Sequence, residues 1–80
     1  MDATKYNGWT NRETWNVNLW VTNEEPLYFA MLDAGGRDRS FTPESAADFA
    51  EELWPGGCTP DGCELAAVNW REIADAWNEE

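Results

Sequence analysis

The chain has 80 residues, with sixteen Asp and Glu against five Lys and Arg and no histidine, for a formal charge of -11 at pH 7. That length holds one domain, residues 1–80, whose core leaves a modest surplus over chain entropy. The charge excludes ordinary nucleic-acid, nucleotide and anionic-lipid binding and points to basic partners, while the missing histidine removes the commonest general acid–base residue.

The opening nine residues read as an extended arm ending at Trp9. Nothing in them resembles a signal peptide, and no stretch approaches the roughly 18 apolar residues of a membrane span. A soluble, intracellular protein of the cytoplasm is expected. Thr10 and Glu13 have the spacing of a capping box, which predicts a helix from Asn11. Trp15, Val17, Leu19, Trp20 and Val21 then point in nearly all directions around a helical wheel, as in a central helix packed on several sides. A strand is the rival reading, since Trp15, Val17, Leu19 and Val21 also alternate, and the cap signal favours helix.

Asn23 with Glu24, Glu25 and Pro26 is a second start signal, followed by Leu27, Tyr28, Met31 and Leu32 on one face and a glycine stop at Gly35 and Gly36. The segment 36–40 is a polar loop. Thr42 and Pro43 open a third helix with Ala46, Phe49, Ala50, Leu53 and Trp54 in one stripe, ended by Pro55, Gly56 and Gly57. Cys58 to Cys63 is turn chemistry, and a short apolar run follows at Leu65–Val68. Asn69 and Glu72 repeat the cap pattern before a last helix whose apolar face is Trp70, Ile73, Ala74 and Trp77. The expected fold is mainly α, a bundle of four to five short helices around a core rich in tryptophan, of which the chain has six.

Cys58 and Cys63 have no histidine to complete a zinc site within one chain, so no metal and no cofactor is expected. A site shared across a dimer and a disulfide closing the 59–62 turn are the alternatives to two free thiols, the state that an intracellular chain normally keeps. Adjacent acids such as Glu51 and Glu52 diverge by roughly 100° on a helix and do not face each other across a substrate. The chain does not read as an enzyme, and no catalytic residue is assigned.

The acids matter by position. Glu44, Asp48, Glu51 and Glu52 lie opposite the apolar stripe of the third helix, and Glu72, Asp75, Glu79 and Glu80 lie on the outer side of the last. Carboxylates one turn apart recur about every 5.4 Å, close enough to phosphate spacing for two rows to enter a groove built for DNA. Ordinary amphipathicity, solubility and adaptation to high salt explain the same acids without a partner. Trp9 or Trp54, each beside a helix breaker, is the expected exposed anchor for a partner.

Asn7-Gly8-Trp9-Thr10-Asn11-Arg12-Glu13-Thr14-Trp15-Asn16-Val17-Asn18-Leu19-Trp20, with Asn23-Glu24-Glu25, Leu27-Tyr28 and Val68-Asn69-Trp70-Arg71-Glu72-Ile73-Ala74, resembles a family of small proteins carried by phages, viruses and other mobile elements. The resemblance brings no catalytic or cofactor residues. It implies a mobile-element setting, in which small acidic proteins often inhibit host defence as anti-CRISPR or anti-restriction proteins. The function expected is therefore a DNA mimic, a monomer or homodimer, that occupies the basic DNA-binding surface of a host complex without itself binding nucleic acid or membrane. A small accessory protein whose acidity serves solubility is the alternative.

Overall fold

The computed structural model describes residues 8–36 and 40–79. Among the described residues there are four α-helices, α1 (Arg12–Asn23), α2 (Glu25–Ala34), α3 (Pro43–Leu53) and α4 (Trp70–Asn78), plus a 3-10 turn at Leu65–Ala67. The expected helical bundle is what forms, and α1 is a helix where a strand had been the rival reading. The loop 37–39, most of the arm at 1–7 and Glu80 lie outside the described residues.

α1 begins one residue later than the Thr10–Glu13 pattern predicts. Asn11, in extended backbone, is the cap, and its side-chain oxygen accepts from the Thr14 N–H at 2.9 Å. Thr10 is drawn away because its own N–H donates to Glu72 Oε1, 62 residues along the chain. The helix is also not apolar all round. Its buried residues are Thr14, Asn16, Val17 and Val21, whereas Trp15 and Trp20 are half-buried and Leu19 is exposed. Trp20 turns toward the Cys58–Cys63 loop, its Nε1–H donating to Asp61 Oδ2 at 3.1 Å, and the smaller side chains of α1 take the centre.

The boundary between α1 and α2 corrects a second expectation. Asn23 is the last residue of α1 and does not cap α2, because the Glu24 N–H still bonds back to Trp20 O at 3.2 Å. Glu24 alone, at φ -100 and ψ 114, turns the chain, and its side chain makes no cap bond. Pro26 in the first turn needs no N–H partner. Met31 is buried and Leu27, Tyr28 and Leu32 half-buried, so the expected face of α2 packs on α1. Gly36, at φ 71, supplies the left-handed residue that ends the helix.

Thr42 caps α3 reciprocally with Ser45. Ala46, Phe49 and Ala50 are buried, with Leu53 and Trp54 half-buried against the same core. The α3–α4 seam is aromatic: the Trp77 ring meets Phe41 and Phe49 edge-on, at centroid separations of 5.1 and 5.7 Å. Phe41, just before α3, exchanges hydrogen bonds with Asn78 at the end of α4, so these helices run antiparallel.

Between them the chain doubles back. The Thr59 to Gly62 turn has Pro60 at its second position, and the Gly62 N–H closes it onto Thr59 O at 2.8 Å. Cys58 pairs with Glu64 in an isolated antiparallel bridge. Side chains alternate across such a pair, which leaves Cys58 exposed and Cys63 buried on the opposite side, both as free thiols.

The motifs at the two ends of the chain meet in space. Asn11 Nδ2 donates to Ala67 O at 2.8 Å, the Asn69 N–H to Thr14 Oγ1 at 2.9 Å, and Asn69 Nδ2 to Thr10 Oγ1 at 3.0 Å. Asn69 still caps α4 by accepting from the Glu72 N–H at 3.2 Å. The return half of that capping box is diverted, since Glu72 serves Thr10 and Thr14 serves Asn69. Two helix N-termini thus satisfy each other's orphan donors.

Candidate partner-binding surface

A helix whose inner stripe is apolar must turn its polar residues outward, and α3 does so with acids. Glu44, Asp48, Glu51 and Glu52 are all exposed, spaced so that they form one row opposite Ala46, Phe49 and Ala50. On α4, Asp75 and Glu79 are exposed, and Glu80 lies outside the described residues. Glu72 is a correction to the outer row: it is half-buried, with a carboxylate oxygen held by the Thr10 N–H, and belongs to the α1–α4 joint.

The rows are not placed where helix electrostatics would put them. Glu44 and Glu72, in the first turns of α3 and α4, complement the positive helix ends. Glu51 and Glu52 sit in the last turn of α3, Glu79 caps the end of α4, and neither last turn has a basic residue. Each acid at a negative helix end costs about 0.3–1 kcal/mol at low salt. Folding gains nothing from them there.

Other exposed carboxylates lie outside these rows, at Glu24, Glu25, Asp33, Asp61 and Glu64. Asp61 is the one with an evident structural task. Its Oδ2 accepts from Asn16 Nδ2 at 2.9 Å and from Trp20 Nε1 at 3.1 Å. The Asn16 bond first and the Trp20 bond second hold its carboxyl below the usual aspartate range, against an opposing effect of desolvation, with the Arg12 charge the smallest contribution.

Neither expected anchor stands free. Trp9 and Trp54 are both half-buried and pack against the core. Among the described residues the exposed large apolar side chains are instead Phe29, at 59 %, and Leu19, at 37 %. Phe29 sits on the side of α2 away from Met31, as its absence from the face of Leu27, Tyr28, Met31 and Leu32 implies, while Tyr28 is half-buried on that face.

Hollows among the described residues bring some of these side chains together. Gly8, Trp9, Glu72, Asp75, Ala76 and Glu79 line one of about 270 Å³, so the two carboxylates of the α4 row open beside the Trp9 ring. Leu19, Trp20, Asn23, Glu24 and Asp61 line a smaller one of about 170 Å³. Another, of about 310 Å³, lies between Glu51 of α3 and Trp70 of α4, over Gly57, Leu65 and Ala66. Among the described residues no group of three or more His, Cys, Asp or Glu is placed to hold a metal ion, and no helix is long and apolar enough to cross a membrane.

No curated protein and no solved structure matches this chain. A family pattern does match it, over residues 2–79 and therefore through both end motifs, the α1–α4 joint they build and the acidic rows of α3 and α4. The chain belongs to that family, DUF7249, a family of unknown function.

Proposed function

We propose that this protein is a non-enzymatic inhibitor that sets its acidic helix rows into the basic DNA-binding surface of a host defence complex, acting as a DNA mimic of the anti-CRISPR or anti-restriction kind. The observation that carries the reading is the placement of Glu51, Glu52 and Glu79 at helix ends where they oppose the macrodipole. Residues kept at a cost to folding are best explained by a contact outside the fold. The formal charge of -11 adds long-range attraction to a basic partner. The likeness of the tryptophan motif to proteins of mobile elements supplies the setting.

A second reading has its own support. Glu24, Glu25 and Asp33 are exposed on α2 and its approach, away from both rows, as expected if acidity serves solubility in a salt-rich cytoplasm. One experiment separates the two. Tagged protein is used to capture host proteins at low and high salt, with duplex DNA added as competitor. Mimicry requires a captured DNA-binding complex that is released by DNA and by salt, and that is lost in Glu44→Lys with Asp48→Lys while the variant still melts cooperatively above the assay temperature. Capture unchanged by the double reversal leaves the solubility reading in place.

A further inference from the structure

The cleft between α3 and α4 combines features that the acidic rows alone do not. Its floor is apolar: Leu65 is buried at 5 %, Ala66 adds a methyl group and Gly57 adds no side chain. One wall is the half-buried Trp70 ring, held in place because Nε1–H donates to Leu65 O at 3.2 Å. With that N–H committed, what the indole offers the cleft is its carbon surface. The backbone here is also satisfied, since the Gly57 N–H reaches Trp54 O and Gly57 O accepts from the Leu65 N–H, each at 2.9 Å. Among the described residues Glu51, on α3, is the one charged side chain of the lining, and no hydrogen bond or ion pair among them engages its carboxylate.

An apolar floor, an indole wall and one carboxylate at the rim match a side chain that is apolar along its stem and cationic at its tip. We infer that this cleft is a binding site for an arginine side chain of a protein partner. The methylenes lie over Leu65 and Ala66, the guanidinium stacks on Trp70, and Glu51 accepts its N–H groups. Arginine fits better than lysine because its planar, weakly hydrated cation stacks on an indole and presents paired donors to a carboxylate. A neutral ligand would leave Glu51 without its counter-charge, and an anion is excluded by it. The inference rests on the mimicry reading only for where the arginine comes from, namely a basic surface. The cleft itself stands apart from Glu44 and Asp48, which are not among its lining residues.

The test uses the whole chain labelled with nitrogen-15 and three probes: N-acetyl-arginine amide, N-acetyl-lysine amide and N-acetyl-norleucine amide. Arginine amide is expected to move the Trp70 indole N–H signal and the Gly57 and Ala66 amide signals saturably, with lysine weaker and norleucine weakest. Glu51→Gln should weaken arginine binding about fivefold, the effect of losing one partly exposed charge pair. The charge-matched control Asp33→Asn, on α2, should leave it unchanged. Trp70→Leu keeps an apolar wall and removes the stacking ring, so binding followed at Gly57 and Ala66 should also fall, in a variant first shown to melt cooperatively. Equal shifts with norleucine, or equal weakening by Asp33→Asn and Glu51→Gln, would overturn the inference. Because free arginine amide replaces the partner, a negative result here leaves DNA competition by the whole protein intact, and loss of that competition leaves the cleft intact.

Discussion

α4 is held on its two sides by different physics. Toward α1 it is joined by hydrogen bonds, with Asn69, Glu72 and Ala67 locked into Thr10, Asn11 and Thr14. A second polar joint lies along α1, where Asn16 accepts from Thr59 Oγ1 at 2.6 Å and donates to Asp61, docking the Cys58–Cys63 loop. Toward α3, by contrast, α4 presents Ile73, Ala74 and Trp77 to Phe41, Phe49 and Ala50, an apolar seam. The seam is stabilised by burial of apolar surface, which is not directional. The joints supply less net energy, since each hydrogen bond replaces one to water, but they admit a single register. A small acidic chain uses the first to stay folded and the second to stay unique.

That contrast is broken most directly at Trp77. The ring is fully buried and also donates Nε1–H to Asn18 Oδ1 at 3.2 Å. Trp77→Ala should cost about 3–5 kcal/mol, a large fraction of a small domain's stability, seen as a fall in melting temperature by circular dichroism. The half-buried Trp15 and Trp20 should cost clearly less when truncated. If either matched Trp77, the seam would not be the dominant region.

Asn16→Ala attacks the polar side. It leaves the buried Thr59 hydroxyl without its acceptor and takes one donor from Asp61, at a cost of about 1–3 kcal/mol in urea unfolding. The loop amides of Gly62 and Cys63 should lose hydrogen-exchange protection while those of α3 keep theirs. Protection lost equally in α3 would show that the joint and the seam are one cooperative unit.

The smallest effect sharpens the same boundary through pH. The fold lowers the Asp61 pKa, so the native state binds this proton less readily than the unfolded chain. The contribution is fully present above the unfolded value, near 3.8, and is lost as pH falls through the lower folded value. Comparison with Asp61→Asn isolates it from the many other carboxylates. The melting-temperature gap between parent and variant should be constant at and above about pH 6 and close progressively in acid. A gap that is flat down to about pH 2 would mean that the Asn16 and Trp20 bonds do not depend on the charge.

The stripe of Ala46, Phe49 and Ala50 and the face of Ile73, Ala74 and Trp77 were legible because period and burial coincide on an amphipathic helix that packs on one side. The stop at Gly35 and Gly36 was legible for an equally local reason. α1 was misread as apolar all round because a wheel counts side chains by type, and Asn16 and Thr14 enter the core only where Thr59 and Asn69 arrive to satisfy them. The acidic rows could be drawn from spacing, but not the loss of Glu72 to Thr10. The cleft of Glu51 and Trp70 had no signal in the sequence, since its walls come from two helices joined by a doubled-back loop.

A small acidic α-helical domain, its helix stops, most of its apolar faces and the carboxylates that face outward are set locally, because each of these depends on residues within a turn or two of one another. Which capping residue won, which polar groups could be buried, which aromatics were left exposed and where a cation could be held were settled by long-range packing. Those outcomes depend on distant partners, as in the bonds from Asn16 to Thr59, 43 residues apart, and from Thr10 to Glu72, 62 residues apart. A polar group's place inside or outside is settled by whether a distant partner reaches it, and a local pattern carries no record of that distance.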